Sequence, residues 1–95
     1  MSAYLVANIT VKDAKKMEAY AAAAGPTLEA HGAEFIMSGN LADNLSGKWP
    51  VEGVALVRFE SIDAARTWYN SPEYTALRDL RASAADMDIA LFNAA

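Results

Sequence analysis

Trp68-Tyr69-Asn70-Ser71-Pro72-Glu73-Tyr74, with Leu77, Leu80 and Arg81 beyond it, gathers three aromatic side chains around a break in a helix. Ser71 is a favoured N-cap, Pro72 suits a first helical position, and Glu73 complements the positive end of a helix. A helix therefore stops here and restarts, carrying Tyr74, Leu77, Leu80, Arg81 and Ala84 onward. Upstream, Ser61 caps the first piece, in which Ile62, Ala65, Trp68 and Tyr69 recur at helical spacing. An apolar run at residues 54–59 reads as the preceding strand. Met87, Ile89 and Leu91 alternate in a closing one.

Working back to the start, residues 3–11 place Leu5, Ala7, Ile9 and Val11 on one side and Tyr4, Val6, Asn8 and Thr10 on the other. That is the period of a strand. Asp13 then caps a helix with apolar positions at Met17, Ala21, Ala24 and Leu28, stopped near His31-Gly32 and bent at Gly25-Pro26. Residues 34–39 alternate again, with Phe35 and Met37 opposite Ile36 and Ser38. They lead into a connection over residues 40–53 rich in Asn, Asp and Gly. The order βαββαβ predicts a ferredoxin-like α+β fold, a four-stranded antiparallel sheet with two helices on one face. Its 95 residues make one domain, residues 1–95.

Hydrophobic residues make up 54% of the chain and charged residues 21%, enough apolar material for a core throughout. No cysteine is present to supply a staple or a thiol nucleophile, and a lone histidine with dispersed carboxylates offers no metal spacing. The net charge of -4 and the absence of a basic stripe exclude nucleic acid as an expected partner. The N-terminal residues read as a strand, neither a signal peptide nor a membrane span, so the expectation is a cytoplasmic protein away from membranes. No phosphate-cradling loop, dinucleotide fingerprint or nucleophile elbow occurs, and no cofactor is expected. The second sheet face carries Val6, Val54, Leu56 and Phe92. Helices on one side only would leave it bare, which predicts a two-fold homodimer through the sheet faces.

The Trp68 to Tyr74 run with Leu77, Leu80 and Arg81, the opening Ala3-Tyr4-Leu5-Val6 and the turn at Gly32 resemble the bacterial family called domain of unknown function 1330, over nearly the whole chain. The resemblance implies a dimeric α+β barrel and assigns no reaction. Gly32-Ala33 stands at the family's usual paired glycine, and Met37-Ser38-Gly39 stands at its usual Arg-Gly-Gly. The small haem-degrading and cofactor-independent monooxygenases of the same superfamily are a weaker likeness. They carry an asparagine on strand one and a tryptophan in helix two, as at Asn8 and Trp68. Arg78 occupies the place of the haem-binding histidine, which argues against haem.

Six residues are the candidates for ligand binding: Asn8, His31, Met37, Trp68, Tyr74 and Arg78. Each also has a plain structural reading. His31 is either a proton shuttle or a helix C-terminal cap. Trp68 and Tyr74 either present their polar tips to a pocket or fill the core. Arg78 either meets a carboxylate or enolate or lies on a solvated face. Asn8 either joins Trp68 in one pocket or meets Arg58 and Asp88 in a polar cluster at the dimer interface. The leading expectation is a homodimer binding a small, partly apolar or anionic molecule between helices and sheet, walled by Trp68, Tyr74, Met37 and His31. The alternatives are a cofactor-independent monooxygenase or isomerase using Asn8, Trp68 and Arg78 or His31, and a structural dimer without ligand.

Overall fold

Strand periodicity at the start and closing end, and capped helices between, produce the elements of the computed structural model, which describes residues 2–94. In order these are β1 (Ala3–Val11), α1 (Ala14–Ala30), β2 (Glu34–Asn40), β3 (Gly53–Phe59), α2 (Ile62–Tyr69), α3 (Pro72–Thr75), α4 (Arg78–Ala84) and β4 (Ala85–Asn93). The strands lie in the order β2-β3-β1-β4, each antiparallel to its neighbour. This is the ferredoxin-like α+β arrangement, and the helices cover one face of the sheet.

The caps act through specific atoms. Asp13 Oδ1 accepts from the Lys16 amide at 3.1 Å, and Ser61 Oγ accepts from the Ala64 amide at 3.1 Å. Ser71 Oγ works in both directions, donating to the Trp68 carbonyl at 2.7 Å and accepting from the Tyr74 amide at 3.3 Å. It thereby joins the end of α2 to the start of α3. The restart is interrupted once more, because the Leu77 amide closes onto the Tyr74 carbonyl at 2.9 Å and α4 begins only at Arg78. At the end of α1, Gly32 takes the left-handed conformation with φ 70°, while the Gly32 and Ala33 amides return to Glu29 and Leu28. That is the Schellman closure that glycine permits. Pro26 does not interrupt α1, which runs through it as one element.

The expected alternation of β2 fails at one point. Phe35 pairs with Val57, Met37 pairs with Leu56, and Ile36 is the extra residue of a bulge between them. One inserted residue transfers everything beyond it to the opposite face. Phe35 and Ser38 therefore share the helix side with Val57 and Ala55, and Met37 turns to the helix-free side with Leu56.

On the helix side, Leu5, Ala7, Val57, Phe59, Trp68 and Tyr74 form the centre of the core. The molecule measures 35 × 34 × 16 Å, a slab of two layers. Its other broad face bears Tyr4, Val6, Val54 and Leu56, all half-buried, and Phe92, which is 56% exposed. Among the described residues, no helix lies over them. The β2–β3 connection adds Trp49, 55% exposed, and Leu45, 90% exposed. Trp49 and Leu41 line one cleft with Met37 and Val54, so this connection curls toward the helix-free face.

Candidate functional site

Between α1 and the sheet lies a cavity of about 200 Å³. Its walls are mostly apolar, built by Leu5, Ala7, Ala24, Val57, Trp68 and Tyr74, with Phe35 and Ser38 of β2 toward its exposed side. A cavity of about 150 Å³ suffices for benzene, while drug-sized ligands take about 300–1,000 Å³. This space fits one ring.

Trp68 and Tyr74 reach it from either side of the helix break. Their rings lie 4.1 Å apart between centroids, Phe59 backs Trp68 at 5.7 Å, and Tyr69 stands 5.5 Å from Tyr74. Tyr74 is fully buried and Trp68 is 3% exposed. The Trp68 indole N–H donates to Thr27 Oγ1 at 3.0 Å, and Thr27 donates to the Ala24 carbonyl at 2.7 Å. The indole is thus tied to α1 beside the Gly25-Pro26 step. Tyr74 is tied to α1 as well, through a 2.7 Å contact between its hydroxyl and that of Tyr20.

Tyr20 and Arg81, absent from the six candidates, complete the hydrogen bonding of the Tyr74 hydroxyl; Tyr20 lines the cavity, and Arg81 stands behind it. Arg81 Nη1 donates to the Tyr74 hydroxyl at 2.8 Å, and Nη2 approaches the Tyr69 hydroxyl at 3.4 Å. Burial, then the bond to Tyr74, pushes the Tyr20 phenol far above its ordinary range, so it stays neutral. For Arg81, burial disfavours the charge, yet the bonds to Tyr69 and Tyr74 leave its pKa raised. For Tyr20 the sequence shows only a place on the apolar stripe of α1, three residues after Met17 and four before Ala24. Arg81 follows Tyr74 by seven, but the break at Ala76-Leu77 lies between them, so that spacing points to no shared site.

The other candidates lie elsewhere. Asn8 sits between Val54 and Asp88 in the sheet register, on the helix-free face, so the sheet separates it from Trp68. The polar cluster with Arg58 does not form either. Arg58 pairs with Tyr4 at the far end of the strand and donates to Ser2 Oγ at 2.7 Å. Asn8 instead lines a larger, more open polar depression of about 400 Å³ with Lys12, Arg81, Asp86 and Asp88, where Lys12 and Asp86 already pair at 3.4 Å. Met37 leaves the cavity because of the bulge at Ile36.

His31 caps α1 and places Nε2 3.2 Å from Glu73 Oε2, linking the end of α1 to α3. The bond to His31, then that to Ser71, holds the Glu73 carboxyl below its usual range. Arg78 stacks 4.2 Å from the centre of the Tyr69 ring and donates to the Tyr69 carbonyl at 2.8 Å. Its Nε is buried without a hydrogen-bond partner among the described residues, a cost set against the stacking. Of the six candidates, only Trp68 and Tyr74 line the cavity.

Among the described residues, no group of three or more His, Asp or Glu converges to hold a metal ion. No helix there is long and apolar enough to cross a membrane.

The same fold recurs in solved structures. A protein of unknown function from Rhodopseudomonas palustris superposes with a TM-score of 0.81 at 17% identity, over 96% of this chain and 80% of that one. SnoaB, a cofactor-independent oxygenase from Streptomyces nogalater, gives 0.73 at 17% identity, over 99% and 93%. A dimeric ferredoxin-like protein of unknown function from Thermobifida fusca gives 0.63 at 17% identity, over 97% and 90%. At such identities the likeness is one of fold. No curated protein matches the chain. Residues 2–95 match the model of the family described as domain of unknown function DUF1330, and the chain belongs to that family.

Proposed function

We propose that this protein is a homodimer that binds a small, mostly apolar molecule in the cavity between α1 and the sheet. The cavity itself carries the reading: about 200 Å³ of apolar space beside Trp68 and Tyr74, with buried phenols at one end. A side-chain-filled core would have left no room. Self-association is supported by the bare apolar face of the sheet and by solved neighbours described as dimeric. The oxygenase-like alternative needs Asn8, Trp68 and either Arg78 or His31 around one substrate, and His31 lies outside the cavity, paired with Glu73 at 3.2 Å. The sheet stands between Asn8 and Trp68, and Arg78 is stacked on Tyr69.

A thermal-shift screen of one-ring ketones, acids and quinones tests the binding. A ligand at about 100 times its dissociation constant stabilises by about 2.7 kcal/mol. For a chain of this length that corresponds to a rise in Tm of roughly 10 °C or more. A screen in which no one-ring compound raises Tm would contradict the proposal.

A further inference from the structure

We infer that the cavity selects a one-ring molecule carrying a hydrogen-bond acceptor oxygen, held by a phenolic hydrogen of the Tyr20–Tyr74 pair; this rests on the cavity-binding reading above. Arginine only donates, so the Tyr74 oxygen must accept from Arg81 Nη1 at 2.8 Å. The two phenols bring two hydroxyl hydrogens to a single 2.7 Å contact, and that contact uses one. If Tyr74 donates to Tyr20, the Tyr20 hydrogen is left over. If Tyr20 donates, the Tyr74 hydrogen is. Either way, among the described residues, one buried O–H has no acceptor.

Tyr20 is 8% exposed and Tyr74 is fully buried, and both line the cavity. A buried donor without an acceptor is unfavourable, because its lost hydration is not replaced. The neutral state of Tyr20 keeps its hydrogen in place. The Trp68 indole does not compete as the anchoring donor, because its N–H is committed to Thr27. A ketone, quinone or ether oxygen on an apolar ring meets both demands, filling the apolar walls and accepting the remaining hydrogen. An alcohol or amine would have to arrive with its lone pair foremost.

Acetophenone and cumene test this. They match in ring and in number of heavy atoms, and only the first has an acceptor. Dissociation constants for both are measured by calorimetry on the wild type and on Tyr20→Phe/Tyr74→Phe, whose folding is checked by circular dichroism. The expected result is that the preference for acetophenone over cumene is at least tenfold greater in the wild type than in the double variant. An unchanged ratio overturns the acceptor inference, with water satisfying the hydroxyl, and leaves the cavity reading standing. Failure of both probes to bind the wild type overturns both. Should the double variant misfold, the infrared carbonyl stretch of acetophenone bound to the wild type decides. A band at lower wavenumber than in cyclohexane is expected, and a band at the cyclohexane position overturns the inference.

Discussion

The two faces of the sheet are built from the same strands and similar residues, yet only one is finished. On the helix side, Leu5, Ala7, Val57 and Phe59 lie under α1 and α2 and are nearly inaccessible. On the other, Val6, Val54 and Leu56 remain half-buried and Phe92 open, with Trp49 curled beside them. The covered face keeps a cavity of one-ring size, although its neighbours are tightly packed aromatics. The uncovered one has apolar area that, among the described residues, no helix of its own chain covers. Under the proposed function the two sides have different tasks: holding a small molecule, and meeting a second copy.

Substitutions should act differently on the two faces. Trp68→Ala removes a buried ring in contact with Phe59 and Tyr74, and urea unfolding should show a loss of about 3–5 kcal/mol. A loss below 1 kcal/mol would mean that the cavity side is not the core. On the other face, a Phe92→Asp/Trp49→Asp variant should keep its circular dichroism and weaken self-association at least tenfold, about 1.4 kcal/mol, in sedimentation equilibrium. An unaltered mass distribution would place the interface elsewhere.

Filling the cavity gives a third contrast. Ala24→Leu should raise unfolding free energy by about 0.5–2 kcal/mol and abolish ligand-induced shifts in Tm, since Ala24 is a wall of the space. Destabilisation of about 1–3 kcal/mol would instead report overpacking of a site with no room. The smallest effect belongs to the rim. Glu73 has a lowered pKa in the fold, so its contribution is present above the ordinary carboxylate value and disappears as pH falls through the folded one. Glu73→Gln should therefore lower Tm slightly at pH 7 and make no difference near pH 2. An equal difference at both pH values would contradict the charge-based origin.

Much of this was legible in the chain. The caps Asp13, Ser61 and Ser71 and the alternation of residues 3–11 are local signals, and local hydrogen bonding realises them. Trp68 and Tyr74 could be placed in one space because the Ser71-Pro72 restart lies between them. Met37 could not, since one bulged residue reverses a face and leaves no mark in period-2 patterning. Arg78 stayed open between two readings for a related reason. Its four-residue spacing from Tyr74 has helical meaning only without the second break at Ala76-Leu77, and across that break it stacks on Tyr69 instead. Tyr20 was hidden among alanines, and its role depends on a partner fifty-four residues away. Such a contact is tertiary, and no window along the sequence contains it.

The two tryptophans report separately on the two faces, and their indole N–H resonances in a two-dimensional ¹⁵N spectrum test the division of tasks most directly. Acetophenone should shift the Trp68 signal, and dilution from millimolar to micromolar concentration should shift that of Trp49. A Trp68 resonance unmoved at saturating ligand, with Trp49 indifferent to dilution, would contradict both assignments.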